Sequence, residues 1–310
     1  MLFSSARRVA LVGTVVVAVG VAALTSACGA RPTASVAEPV LVPQRTPSTT
    51  VVSTPPPSIT PTPTKDTGTP NKGAPGLDAN LLVAAATQVE PNTTLGAVVY
   101  DRVTGQELLS YEADRQFRSA SLVKLMIAID VLSRGANEND RQRIARMLSL
   151  SDDDIASALW VQDGGPALVT RVVSLVGLQG TEPPEVSGKW GEVKLTAHDM
   201  VRVYQYVMDR LPAADHTLIV DALGQAPEYA ADGFRQHFGI PDGLNMQWAI
   251  KQGWGNNDSA MVLHSTGLVG AKWRYIVVLL TQHPLGSGWR TCSKSVTAAA
   301  GALDGLLPEA

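Results

Sequence analysis

The 310-residue sequence predicts an α+β domain in which terminal helices cover one antiparallel sheet and a block of helices is inserted between its strands. Three observations carry this. The order of segments from residue 76 to residue 310 is helix, two short β-type runs, several helices, three further β-type runs and a closing helix. A segment apolar on every side lies near the middle, and such a helix must be buried at the centre of a core. All six tryptophans fall within this part, which is long enough to enclose a large core.

The elements follow in order. Leu77 to Val89 is rich in alanine and leucine and suits a helix. Leu95 to Tyr100 and Gln106 to Tyr111 are short β-type runs joined by a turn that ends in Gly105, which reads as a hairpin. Ser121 to Ser133 is the all-round apolar helix, stopped by Gly135. A charge-rich stretch with Arg141 to Leu148 follows, then Ser151 to Val161 and a helix from about Pro166 to Val176. Gln179 to Val193 contains Pro183, Pro184, Gly188 and Gly191 and reads as a loop. Thr196 to Leu211 opens with Thr196 as a candidate N-cap and Asp199 three residues later, the signature of a helix start. Gln247 to Gln252, Ser259 to Val269 and Arg274 to Gln282 read as strands, and Ser293 to Leu307 as the closing helix.

The first 75 residues differ in kind. Arg7 and Arg8 precede an apolar run from Val9 to Leu24, which ends in the small residues Thr25, Ser26 and Ala27 before Cys28. This order of charge, apolar run and small residues is that of a secretory signal, here residues 1–27. The segment from Leu24 to Cys28 resembles a bacterial lipobox, with Thr25 where an aliphatic residue is commoner. The resemblance implies cleavage before Cys28, a lipid on that cysteine, and a protein exported and anchored to the outer face of the plasma membrane. An ordinary signal peptide or an uncleaved anchor are the alternatives. Residues 28–75 are dominated by Pro, Ser and Thr and cannot bury enough apolar surface to offset chain entropy, so they read as a disordered tether.

Charge and metal-ligand patterns exclude other classes. The net charge is −3, with acids and bases interleaved, so nucleic acid is not an expected partner. The five histidines are far apart and show no ligand spacing, so neither a metal nor a cofactor is expected. With Cys28 lipidated, Cys292 would be a lone buried thiol.

The chemical signal is Ser121-Leu122-Val123-Lys124. Residues three apart share a helix face, so the lysine amine can reach the serine hydroxyl. Lys124 sits among Leu122, Val123, Leu125, Met126, Ile127 and Ile129. A lysine in such apolar surroundings loses its proton more readily and can then take the hydroxyl proton. The plain alternative is a lysine that snorkels to the surface.

The run from Leu95 to Leu125, with hairpin, turn, Phe117 and SxxK, resembles the penicillin-recognising serine enzymes, most closely the class A β-lactamases. Ser151-Asp152-Asp153 stands where that family has Ser-Asp-Asn, and Lys251-Gln252-Gly253 where it has Lys-Thr-Gly. Ser149 to Gly165 and Thr196 to Met200 resemble the segments that follow the second motif and the omega loop. The resemblance implies the class A β-lactamase or D,D-transpeptidase fold, with a shortened helical subdomain. It implies Ser121 as acylated nucleophile, Lys124 as its base and Ser151 as proton relay to the leaving nitrogen. Asp153, Lys251, Gln252 and Gly253 would bind substrate, and the amides of Ser121 and a strand residue just beyond Gly253, with Gly255 the candidate, would form the oxyanion hole. The implied ligands are β-lactams or D-alanyl-D-alanine peptides of peptidoglycan.

The departures bear on activity. Asp153 replaces an amide by a carboxylate, Gln252 replaces a small hydroxyl residue, and the stretch from Lys124 to Ser151 is short. No ExxLN pattern supplies the glutamate that activates the deacylating water; Glu182 and Glu185 are the candidates by position. Two functions therefore stand open. One is a serine hydrolase of β-lactamase or D,D-peptidase type working through a Ser121 acyl-enzyme. The other is a catalytically degenerate lipoprotein of the same fold that binds cell-wall peptide or a protein partner.

Overall fold

The structure is a computed structural model that describes residues 77–308; the expected signal peptide, the tether and Cys28 lie outside the described residues. Helix α1 (Ala79–Val89) starts at Asp78, whose carboxylate accepts from the Asn80 amide. Strands β1 (Thr94–Asp101) and β2 (Gln106–Tyr111) form the expected hairpin. Its turn is held by the Asp101 carboxylate, which accepts from the Val103 amide at 2.9 Å, and by Gly105 at φ +71°.

Two residues each from β3 (Phe117–Arg118) and β4 (Lys194–Leu195) pair in a small second sheet. The segment expected as one helix from Ser121 begins as a 3₁₀ turn over Ala120–Leu122 and continues as α2 (Val123–Ser133). Every residue of α2 from Val123 to Leu132 is buried, as its all-round apolar sequence requires. The charge-rich stretch is a helix, α3 (Glu138–Ser149), followed by α4 (Asp153–Gln162) and α5 (Pro166–Val176). Thr196 caps α6 (Ala197–Asp209) as expected, its hydroxyl accepting from the Asp199 amide at 3.1 Å.

The stretch after α6 holds α7 (Ala213–Gly224) and the single turn α8 (Ile240–Gly243), neither of which shows a clear period in the sequence. Strand β5 (Trp248–Asn256) runs four residues past the expected run, β6 (Met261–Val269) starts two residues later than expected, and β7 (Tyr275–His283) is displaced by one. The closing helix is a correction: α9 spans Trp289–Gly301, not Ser293 to Leu307. Gly288 at φ +76° starts it four residues earlier, and the chain turns after Gly301 toward Gly305 at φ +72°.

The main sheet is antiparallel in the order β2-β1-β7-β6-β5. The first long strand and the last are therefore neighbours, and this brings α1 and α9 together on one face. Alternation along β7 divides the core. Tyr275, Val277 and Leu279 pack with Leu82, Ala86, Ala299 and Leu303, whereas Ile276, Val278 and Leu280 pack with α2 and with Met200, Val203 and Tyr204 of α6. Strand β5 is an edge of this sheet, and it runs beside the 3₁₀ turn that carries Ser121.

The histidines of the sheet are structural. His264 donates from Nε2 to the Arg118 carbonyl at 2.7 Å and accepts the Thr281 amide at Nδ1. Burial pushes its pKa down to about 4, and His283, held between Thr93 and Thr281, is likewise pushed by burial down to about 4. Cys292 is buried on α9 with its thiol pushed up to about 11. No helix of the described residues is long and apolar enough to cross a membrane.

Candidate active site

The site lies where the helical block meets the edge of the sheet. Ser121 sits in the 3₁₀ turn before α2, and the preceding Ala120 has φ +43°, a left-handed conformation that costs energy for a residue with a Cβ. One turn on, Lys124 points back at it, with Nζ 2.9 Å from the Ser121 Oγ. The lysine side chain is fully buried, so it does not snorkel. Burial pulls its pKa below the ordinary lysine range, opposed chiefly by the Asp153 carboxylate.

Ser151, between α3 and α4, also has a left-handed backbone, at φ +52°. This turns both of its oxygens into the site: its carbonyl accepts from Lys124 Nζ at 2.6 Å, and its hydroxyl lies 3.3 Å from Lys124 Nζ and 2.9 Å from Lys251 Nζ. Lys251, on β5, is buried as well, and its pKa is driven well below the ordinary range by that burial and by the neighbouring Lys124. Ser121, Lys124, Ser151 and Lys251 thus form one continuous hydrogen-bonded chain drawn from the helical block and the sheet edge. Neither backbone outlier was visible in sequence, because φ is set by the packing around it.

Asp153 is the first residue of α4, at a helix end that favours carboxylates. Its Oδ1 lies 2.5 Å from Lys124 Nζ, while its side chain is 61% exposed and faces the cleft. That cleft, about 410 Å³, is lined by Ser121, Asp153, Trp190, Glu192, Trp254 and Gly255 among others. Gly253 lets β5 approach closely: a Cβ there would come 3.0 Å from the Ser119 carbonyl oxygen and 3.2 Å from Leu122 Cγ. Gly255 lies farther along the same edge, where a Cβ would meet only Ala120, at 3.8 Å.

Three expected positions are placed differently. Gln252 does not reach the cleft. Adjacent strand residues point to opposite faces, so with Lys251 turned to Ser151 the Gln252 amide is buried behind the strand, donating to the carbonyls of Gln236 and Phe238. Glu182 and Glu185 do not line the cleft that holds Ser121. Glu182 is bridged to Lys194 through the backbone and by a 3.6 Å ion pair, and the Gln116 side chain, with Lys194, holds its carboxyl below the usual range. Glu185 opens onto a neighbouring surface pocket with Val186 and Lys189.

The loop from residue 178 to residue 193 presents a different set. Its 3₁₀ turn, Trp190–Glu192, brings the Trp190 ring centroid to 5.0 Å from Lys124 Nζ. Glu192 does line the cleft, but its carboxylate is taken by Arg118 at 2.8 Å. On the opposite side the Trp254 indole donates to Asp232 at 3.0 Å. A tryptophan within a Gly-rich loop was the one sequence signal for these residues; Asp232 carried none. Among the described residues no group of three or more His, Cys, Asp or Glu could hold a metal ion.

Comparisons with known proteins bear on the family and the fold. A family model described as "Beta-lactamase enzyme family" matches residues 80–159. The LppW proteins of Mycobacterium tuberculosis and Mycobacterium bovis, designated candidate lipoproteins, are 36% identical over 238 residues, which span 73% of this chain and 75% of theirs. The chain belongs to the LppW family. Solved structures place this LppW-family chain in the class A β-lactamase and penicillin-binding-protein fold. A point mutant of PBP-A, solved as its acyl-enzyme complex with penicillin G, aligns at TM-score 0.57 with 16% identity, covering 72% of this chain and 94% of that one. The L2 protein complexed with relebactam aligns at 0.59 with 17% identity, covering 74% and 98%.

Proposed function

We propose that this LppW-family protein is an envelope serine acyl-transferase that takes β-lactams or D-alanyl peptides onto Ser121 and releases them slowly. The observation that carries the reading is the contact between Lys124 Nζ and the Ser121 Oγ, extended through Ser151 to Lys251. With Lys124 in its neutral form, the Ser121 hydroxyl gives its proton to Nζ as its oxygen bonds to the substrate carbonyl carbon. The carbon–nitrogen bond then breaks, and the Ser151 hydroxyl passes a proton to the departing nitrogen and is resupplied from Lys124. Lys251 supplies positive potential for the substrate carboxylate. That the PBP-A mutant forms an acyl-enzyme with penicillin G on the same fold supports acylation as the first step.

Slow release follows from the loop. A water attacking the ester needs both room to approach and a base beside it; the loop sets the Trp190 ring near Lys124, where it takes up that room, and its Glu192 is already paired to Arg118. The test is intact mass after exposure to benzylpenicillin. The wild type gains the mass of the reagent and keeps it for minutes or longer, and Ser121→Ala gains nothing. No adduct on the wild type at millimolar reagent would overturn the reading.

The second reading, a binder without acyl transfer, is favoured by one contact: the Asp153 carboxylate on Lys124 stabilises the ammonium, which cannot accept the serine proton. For location we propose a signal peptide over residues 1–27, a tether over 28–75 and a lipid on Cys28 ahead of the folded domain at 76–310. The candidate-lipoprotein name of the LppW relatives supports this. About 45 tether residues would give a root-mean-square reach of roughly 35 to 40 Å, which puts the cleft within the cell-wall space. Cys28→Ala should move the protein out of the membrane fraction; continued retention there would refute the anchor.

A further inference from the structure

We propose that Asp153 is a brake on Ser121 and a selector of substrate: its carboxylate holds Lys124 as an ammonium, and acyl donors bearing a cationic group close to the scissile carbonyl relieve it. This rests on the reading of Ser121 as the acylated nucleophile.

The donor count around Lys124 motivates the brake. Its Nζ has four acceptors within reach, and three are near: the Ser121 Oγ at 2.9 Å, the Ser151 carbonyl at 2.6 Å and the Asp153 Oδ1 at 2.5 Å, with the Ser151 hydroxyl farther off at 3.3 Å. An ammonium has three N–H bonds, one for each of the three near acceptors. In that state the lysine donates to Ser121 and leaves the hydroxyl proton in place. A neutral amine has two N–H bonds and a lone pair. It would keep the Ser151 and Asp153 contacts and turn the lone pair to Ser121, which reverses the third bond and makes the serine a donor. One proton on Lys124 therefore decides whether Ser121 is restrained or activated.

Other charges face the amine from each side. Asp152, the N-cap of α4, favours the ammonium, but its carboxylate is engaged by Arg146 at 3.0 Å. Asp232, from the segment before α8, favours it from a greater remove while accepting the Trp254 indole. Lys251 on β5 opposes it, and the Trp190 ring faces it at 5.0 Å. Asp153 is the carboxylate in direct contact. It also differs from its partner in access, since Lys124 is fully buried and Asp153 is 61% exposed at the cleft. A cation entering with the substrate meets Asp153 and not Lys124. It then competes for the carboxylate and weakens its hold on the base.

The test compares the full chain with its Asp153→Asn and Asp153→Ala variants, each checked for an unchanged melting profile. Acylation by benzylpenicillin, whose side chain is neutral, and by ampicillin, which carries an amine at that position, is followed by intact mass from pH 5 to 9. In parallel, Lys124 is titrated by ¹³C NMR of lysine-labelled protein, assigned with Lys124→Arg. Asp153→Asn is expected to lower the Lys124 midpoint by about one unit or more and to speed benzylpenicillin acylation at neutral pH by about tenfold. The wild type should acylate faster with ampicillin than with benzylpenicillin, and both variants should lose that preference. An unmoved Lys124 midpoint overturns the brake whether or not any adduct forms, and equal wild-type rates for the two penicillins overturn the selector. If no protein is acylated while the midpoint does move, it is the acyl-transfer reading that fails, and the hold of Asp153 on Lys124 stands.

Discussion

Removal of one carboxylate should release the loop that covers the site. Asp199 is fully buried at the start of α6, and its two oxygens collect four donors: the amides of Gln179 and Gly180 at 2.9 and 2.8 Å, the Thr181 hydroxyl at 2.7 Å and the Arg202 guanidinium at 2.7 Å. Three of those donors belong to the loop between α5 and β4, so Asp199 fastens its first residues to the helix behind it. In Asp199→Ala two backbone amides lose their partner inside the fold, and Arg202, itself partly exposed, loses its counter-charge. Each amide left without an acceptor costs about 1 to 3 kcal/mol, so the pair costs about 2 to 6 kcal/mol. For a domain of this size each kcal/mol lowers Tm by about 2 to 4 °C, so the expected fall is about 4 to 24 °C. Circular dichroism melts measure it, and limited proteolysis should cut the variant first between residues 179 and 193. A fall of under about 2 °C with no new cleavage would refute the anchoring role. Arg202→Ala, which removes the counter-charge but leaves the three loop donors on Asp199, is expected to lose about 1.5 to 3 kcal/mol without new cleavage in the loop and serves as the comparison.

Four further outcomes follow from the same geometry. Gly253→Ala forces a Cβ against the Ser119 carbonyl and should cost about 1 to 3 kcal/mol by overpacking, while slowing acylation because β5 is pushed from the Ser121 turn. Lys124→Met should abolish the adduct yet leave the melting temperature unchanged or higher, since it replaces a buried ion by an apolar chain and the Asp153 left behind is exposed to water. Acid should weaken the fold through His264: its folded value of about 4 lies below the ordinary 6.5, so the unfolded chain binds the extra proton. Stability is then lost as pH falls from 6.5 toward 4, by about 3 kcal/mol at the acid end, and urea melts of His264→Gln should show a shallower decline across that window. Trp190→Ala, which opens the cleft over Lys124, should shorten the lifetime of the penicillin adduct by admitting water, measured as the decay of the acylated mass.

Much of this was legible because local signals agreed with the global fold. The hairpin, the Thr196 cap and the all-round apolar α2 each carried a sequence pattern tied to one conformation; the first two formed where expected, and α2 did so after a 3₁₀ turn at its start. Ser121 and Lys124 could be nominated from their spacing on a helix, and Ser151, Asp153 and Lys251 from the resemblance to the class A β-lactamases. Their assembly could not be read, since it depends on left-handed turns at Ala120 and Ser151 and on the close approach of β5, all properties of packing rather than of local propensity. Gln252 shows the limit from the other side: it sits within a motif, but strand alternation turns it away from the cleft. The segment from 212 to 247 shows no clear period because the buried face of α7 begins with a charged residue, Asp215, paired to Arg141, and α8 is one turn long.

On the proposed acyl-transfer chemistry, Trp190 and Asp153 together limit what the hydrogen-bonded chain of Ser121, Lys124, Ser151 and Lys251 can accomplish. A fast hydrolase needs its base free before acylation and a second base beside the ester afterwards. Here Asp153 draws Lys124 toward the ammonium at the first stage. At the second, an indole lies near Lys124, and the loop carboxylate that lines the cleft, Glu192, is spent on Arg118. If Ser121 is acylated as proposed, both features slow turnover but at different steps, so they make separate kinetic statements. Relieving Asp153 should raise the rate of adduct formation and leave its decay alone, whereas opening Trp190 should do the reverse. A variant pair that moved both rates together would mean that a single rearrangement of the cleft, and not two independent side chains, governs the chemistry.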